Sequence, residues 1–174
     1  MGRNVLRTAH KNRGVIMYRI LIVDDESIIA DCISEFLLEI EDYDTEIYTA
    51  YSGVQALDFI NRHRVDILIS DICMPDIDGL TLQKQVTRLW PFCKIIFLTG
   101  YDQFEYIQEA VRYNSLDYIL KTEDEGQIKR AVIKAINIVE EERRKQSVIN
   151  QAENQIKAYL PLLEKEYMLD LIQG

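Results

Sequence analysis

Five polar residues stand at the ends of short apolar runs in this sequence: Asp24, Asp25, Asp71, Thr99 and Lys121. Three carboxylates brought to one place repel one another unless a cation lies between them. Hard oxygen donors with room for water suit Mg²⁺. The hydroxyl adds a hydrogen-bond donor and the ammonium adds a positive charge. Together these groups predict a pocket for a phosphoryl group carried on a carboxylate.

The apolar runs themselves are typical of short strands buried on both faces of a sheet. They cover residues 18–23, 45–50, 65–71, 94–99 and 117–120. Apolar residues three and four apart predict helices between them, at 27–40, after Ser52, at 79–90 and around 104–111. Strands that alternate with helices favour right-handed βαβ units, and therefore a doubly wound α/β sheet with helices on both faces. The carboxyl ends of its strands form the edge where ligands bind.

Composition excludes several classes of protein. The net charge of −9 argues against a nucleic-acid-binding surface, which would be basic. No apolar run reaches the roughly 18 residues that span a bilayer, so we expect no membrane segment. Cys32, Cys73 and Cys93 are scattered without metal-ligand spacing and are odd in number, which favours a reducing, cytoplasmic setting.

The charge is unevenly distributed along the chain. Residues 1–16 contain Arg3, Arg7, Lys11 and Arg13 but no acid, so their net charge is +4. The remaining residues carry a net charge of −13, which gives the total of −9. We predict that 1–16 is a disordered basic leader without a signal-peptide core. The sheet domain is expected over 17–139. Residues 140–174 are predicted to form a helical linker.

Four motifs, taken in order, resemble those of the receiver (CheY-like) domain of bacterial two-component response regulators. They lie at 22–26 (IVDDE), 71–79 (DICMPDIDG), 99–101 (TGY) and 117–121 (DYILK). The resemblance extends over about 17–145. It implies a flavodoxin-like (βα)5 fold whose five parallel strands have the order 2-1-3-4-5.

The resemblance also implies a role for each acid. Asp71 would be the phosphoacceptor and would receive its phosphoryl group from a sensor histidine kinase. Asp25 would bind Mg²⁺ directly and Asp24 mostly through water, while the backbone carbonyl of Cys73 would complete the protein ligands together with Asp71.

The same resemblance implies that Thr99 and Lys121 bind the phosphoryl oxygens, and that Tyr118 is an aromatic switch whose rotamer changes on activation. The sequence departs from the family pattern at Thr122, where the family usually has proline, and at 114–115, where Asn-Ser replaces Gly-Ala. Neither change removes a phosphoryl ligand.

Beyond the sheet domain, apolar residues repeat at alternating steps of three and four residues, as in a short coiled coil. They are Ile149, Ala152, Ile156, Tyr159 and Leu163. Pro161 is expected either to kink this helix or to start a new one. We expect a homodimer. The stretches 121–123 and 159–163 resemble those of the response regulators that have an AraC-type DNA-binding output domain. The resemblance implies that contact with DNA is expected only through a domain beyond Gly174.

Each residue also has a plainer interpretation. Asp24 or Asp71 alone could cap a helix, Thr99 could be a strand-end hydroxyl, Lys121 a solvated charge and Tyr118 part of the core. For the whole chain, one alternative is a dimerisation module that works without phosphorylation. Another is a metal-dependent phosphohydrolase, but such an enzyme needs a second acid where Cys73 stands. We therefore expect a phosphorylation switch and not a turnover enzyme.

Overall fold

The computed structural model describes residues 5–8, 16–100, 117–121 and 124–173 of the chain. Contacts divide the chain into two compact units, Met1–Val139 and Glu140–Gly174. The described strands are β1 (Val5–Thr8), β2 (Tyr18–Val23), β3 (Thr45–Ala50), β4 (Ile67–Asp71), β5 (Lys94–Thr99) and β6 (Asp117–Leu120). The described helices are α1 (Ser27–Leu37), α2 (Gly53–Arg62), α3 (Gly79–Leu89) and α4 (Glu125–Gln173).

The strands form one sheet in the order β1-β3-β2-β4-β5-β6. The five strands from β2 to β6 run parallel to one another. Counted without β1, their order is 2-1-3-4-5, which confirms the predicted flavodoxin-like topology. In the centre of the sheet Ile69 pairs with Ile22 on one side and Ile96 on the other, and all three are fully buried. Aliphatic runs are expected for strands covered on both faces.

Two apolar clusters cover the two faces of the sheet. On one face α1 and the first turns of α4 pack on alternate strand residues, with Phe36 and Val132 among the buried members. On the other face α2 and α3 cover the remaining strand residues, including the fully buried Phe97. Because both faces are filled, the strand ends are the part of the sheet that can bind a ligand.

The N-terminal segment differs from the prediction. The expected disorder of the leader is wrong at Val5–Thr8, which pair antiparallel with β3 and add a sixth strand beside the five parallel ones. Without β1, β3 would be an edge strand whose outward N–H and C=O groups lack partners in the sheet, and such an edge accepts a further strand. Sequence periodicity over four residues could not show this.

The helix α4 continues through Pro161, so of the two expectations for this residue the start of a new helix is wrong, and the kink stays a prediction. The predicted helix around 104–111, the pair at 114–115 and Thr122 lie outside the described residues. In the described part of the chain, no helix has a stretch long and apolar enough to cross a bilayer.

Candidate functional site

Two neighbouring strands deliver the acidic residues of the site. Val23, the last residue of β2, pairs with Ser70 of β4, so the next residues, Asp24 and Asp71, lie side by side at the carboxyl edge. Asp24 is fully buried, Asp71 is 6% exposed and Asp25 is exposed. Carboxylate oxygens of the three residues lie within 4.8 Å of one another. The predicted carboxylate cluster is therefore present in the structure.

Among the described residues, one cation reaches this cluster, Lys121, which directly follows β6. The Nζ of Lys121 lies 2.8 Å from Oδ2 of Asp24 and donates a hydrogen bond of 2.9 Å to Oδ2 of Asp71. It also lies 3.5 Å from Oε1 of Glu26. Only 11% of the Lys121 side chain is exposed. The ammonium thus bridges the buried carboxylates in a place where water cannot screen them well.

Burial and charge act in opposite directions on these groups. Burial favours the neutral form of Lys121, but the hydrogen bonds and negative charges of Asp24 and Asp71 outweigh it and raise the pKa of the ammonium above its usual range. Burial raises the pKa of Asp24, although Lys121 and the backbone N–H of Glu26 oppose the shift. Burial and the nearby Asp71 charge also raise the pKa of the Cys73 thiol, which keeps it protonated.

The loop after Asp71 is held by two close backbone contacts. The N–H of Gly79 donates to the carbonyl of Ile72 at 3.0 Å, and a Cβ at Gly79 would lie 2.2 Å from the carbonyl oxygen of Asp71. A Cβ at Gly53, the first residue of α2, would lie 2.1 Å from the carbonyl oxygen of Ile77. The first turns of α2 and α3 therefore pack directly on the backbone of this loop.

Side-chain caps fix the helices that flank the loop. Asp78 accepts a hydrogen bond of 2.6 Å from the N–H of Thr81 and so caps α3. Ser52 accepts a bond of 3.2 Å from the N–H of Gln55 and so caps α2. Asp76 has a φ of 65°, a left-handed conformation that aspartate tolerates in turns. The loop from Asp71 to Gly79 is thus fixed at both ends.

The other predicted site residues lie around the cluster. The backbone N–H of Cys73 donates to Oδ1 of Asp71 at 3.3 Å, while the Cys73 side chain faces solvent. Thr99 is buried at the end of β5, and its carbonyl accepts a bond of 2.7 Å from the N–H of Lys121. Tyr118 pairs with Phe97, packs against the α2–α3 side of the core and has a buried hydroxyl without a hydrogen-bond partner within the described part of the chain.

Two contributions to the site were not predicted. Glu26 directly precedes α1, and its backbone N–H donates to Oδ1 of Asp24 at 2.9 Å while its carboxylate approaches Lys121. The close packing of Gly79 on Asp71 was also missed. The Asp-Gly pair at 78–79 signals a turn, but it does not show which backbone the turn contacts.

The donor set fits a hard divalent cation. Asp24, Asp25 and Asp71 offer carboxylate oxygens at one point, and one of the three is open to solvent, as a partly hydrated ion requires. The Cys73 carbonyl lies on the same loop. These residues would hold Mg²⁺.

Comparison with known proteins agrees with this geometry. Residues 20–133 match the response regulator receiver domain family. The chain belongs to this family. The match covers the parallel strands from Ile20 onward and includes every predicted site residue, the carboxylate cluster among them.

The most similar proteins include transcriptional regulators and receiver domains. The transcriptional regulatory protein HptR of Staphylococcus aureus is 31% identical over 151 residues, which cover 87% of this chain and 58% of that protein. The receiver domain of AraT, a response regulator from Geobacillus stearothermophilus, is 35% identical with a TM-score of 0.59 and covers 75% of this chain and 99% of that one. A two-component transcriptional regulator AraC from Clostridium phytofermentans is 30% identical with a TM-score of 0.66. The match covers 72% of this chain and 98% of that one. The chain thus spans little more than half the length of its curated relative.

The close approach of Gly79 leads to a prediction for Gly79→Ala. The added methyl group would meet the Asp71 carbonyl, so β4 or α3 must shift. We expect a loss of about 1–3 kcal/mol in the free energy of unfolding, together with weaker Mg²⁺ binding, because Asp71 moves with its backbone. Urea denaturation and calorimetric titration with Mg²⁺ measure the two effects.

Gly126→Ala is the matched control, because a Cβ there would meet only the flexible side-chain ends of Asp124 and Arg130. It should leave both quantities nearly unchanged. Equal Mg²⁺ affinity in Gly79→Ala and the wild type would show that the packing of α3 does not position Asp71.

Proposed function

We propose that this chain is a phosphorylation switch in which Asp71 accepts a phosphoryl group from a sensor histidine kinase. The observation that carries the proposal is the bridging of Asp71 and Asp24 by the buried ammonium of Lys121 at the carboxyl edge of the sheet. Receiver domains of transcriptional regulators interact with such kinases. The family and its geometry therefore support this partner.

The proposed step forms one bond and breaks another. A carboxylate oxygen of Asp71 bonds to phosphorus while the bond between phosphorus and a histidine nitrogen of the kinase breaks, and the electron pair stays on that nitrogen. Lys121 is placed to neutralise oxygens of the transferred group. Mg²⁺ held by Asp24, Asp25, Asp71 and the Cys73 carbonyl would supply further charge neutralisation. The chain acts as an acceptor and not as a turnover enzyme.

The response to phosphorylation is proposed to involve Thr99 and Tyr118. A phosphoryl group adds negative charge and acceptor oxygens beside Lys121, whose backbone N–H is bonded to the Thr99 carbonyl. A buried tyrosine hydroxyl without a partner costs about 1–3 kcal/mol. Within the described part of the chain the Tyr118 hydroxyl has no hydrogen-bond partner, and this supports the proposed role of Tyr118 as an aromatic switch.

Output is proposed to pass through the linker unit. Ile149, Ile156 and Tyr159 lie at heptad spacing on α4, and each is at least half exposed in the single chain. Such a stripe fits a second copy of the same helix in a homodimer. Transcription would then be regulated through an AraC-type DNA-binding domain that follows this segment, in the cytoplasm. The regulators among the relatives support this output.

The acceptor role predicts a single phosphoryl adduct after incubation with acetyl phosphate. We expect the adduct in the wild type only when Mg²⁺ is present, and none in Asp71→Asn, because the amide is not a nucleophile for phosphorus. Asp78→Asn is the matched control, since Asp78 lies in the same loop but caps α3. Intact mass spectrometry measures the adduct. An adduct of equal yield in Asp71→Asn would contradict the assignment.

The linker role predicts that Ile156→Glu weakens association of the chain at least tenfold, because a buried charge in a helix seam is costly. Asn154→Glu adds the same charge on an exposed position outside the heptad stripe and should not change association. Sedimentation equilibrium measures both variants. Equal dissociation constants for the two variants would contradict the proposal that the stripe forms the dimer interface.

A further inference from the structure

At the outer edge of the sheet, the register places arginine positions of two neighbouring strands beside one acidic residue of β3. In the antiparallel pairing of β1 with β3, Arg7 lies opposite Glu46. In the parallel pairing of β2 with β3, Arg19 lies beside the same residue. Glu46 therefore stands in register between a cation of each neighbouring strand. Opposite charges placed directly across two strands stabilise their pairing, and like charges destabilise it.

Glu46 is held in place by its own strand and by β2. It is only 5% exposed, and its Oε2 accepts hydrogen bonds of 3.1 Å from Nε of Arg19 and from the hydroxyl of Tyr48. Arg19 is 45% exposed at its side chain, so it neutralises this buried carboxylate from the solvent side. A carboxylate that is fixed and poorly screened can discriminate the charge of a strand that docks beside it.

The connection between β1 and β2 allows the pairing to form within one chain. Thr8 and Tyr18 both pair with Thr45, one on each side of β3. Two strand spacings amount to about 10 Å, and the nine residues 9–17 can reach about 30 Å. A ladder of four residues is short, so its pairing is expected to open more readily than the central strands.

We propose that the outer edge of β3 is a strand-docking site for an extended segment with a cation opposite Glu46, and that Val5–Thr8 of the same chain occupies it. The ligand class is an antiparallel basic peptide. The site lies at the amino end of β3, whereas Ala50 at the other end contacts Asp24 through its carbonyl. It is therefore distinct from the phosphoacceptor edge, and the proposal does not depend on phosphorylation.

Hydrogen exchange of the full chain tests the site. Arg7→Glu places a like charge opposite Glu46, so the β3 amides that face β1 should exchange at least tenfold faster than in the wild type. Arg3→Glu changes the charge of the leader equally but lies outside β1, and it should leave β3 as in the wild type. The β3 amides that face β2 are an internal control. Equal exchange of the β1-facing amides in both variants would overturn the proposal.

A peptide of residues 1–12 tests the ligand chemistry. Added to the Arg7→Glu chain, it should restore slow exchange of the same β3 amides, whereas the peptide carrying R7E should not. Restoration by both peptides would overturn the role of charge. In the wild type, protection of β3 should not depend on protein concentration. Protection that rises with concentration would assign the site to the strand of a second copy and overturn occupation within one chain.

Discussion

The mutual repulsion of carboxylates at the end of the sheet is the constraint on which the rest of this structure depends. Two like charges about 4 Å apart repel by roughly 4 kcal/mol at the dielectric constant of a protein surface. Asp24 and Asp71 are nevertheless buried side by side, because Lys121 bridges them. The cation between the acids therefore stabilises their ionised forms, and the chemistry of the site follows from that interaction.

The remainder of the domain keeps these charges in register. Strands β2, β4 and β6 each deliver one member of the group, and the two apolar clusters fix the strands from both faces. The contacts of Gly53 and Gly79 with the loop after β4 hold the backbone at and after Asp71. A displacement of any of these elements would separate the ammonium from the carboxylates, so the packing of the core and the electrostatics of the site are not independent.

Sequence reasoning succeeded where a local pattern is sufficient. Aliphatic runs predicted the parallel strands, and the polar residues at their ends predicted the cluster of Asp24, Asp71 and Lys121. It failed where a contact joins distant parts of the chain. The pairing of Val5–Thr8 with β3 depends on an open sheet edge, and the approach of Gly79 to Asp71 depends on how α3 packs. Neither feature has a periodicity that a single sequence could show.

The most direct test of the account is calorimetric titration with Mg²⁺ of the wild type and Lys121→Met. Because Nζ of Lys121 occupies the oxygens that a metal would use, the account predicts that the wild type binds Mg²⁺ and that the variant binds it several-fold more tightly. Lys129→Met, which removes a cation paired with Glu39 in the turn after α1, should match the wild type. Absence of Mg²⁺ binding, or weaker binding in Lys121→Met, would contradict the claim that one cation-requiring carboxylate cluster organises the site.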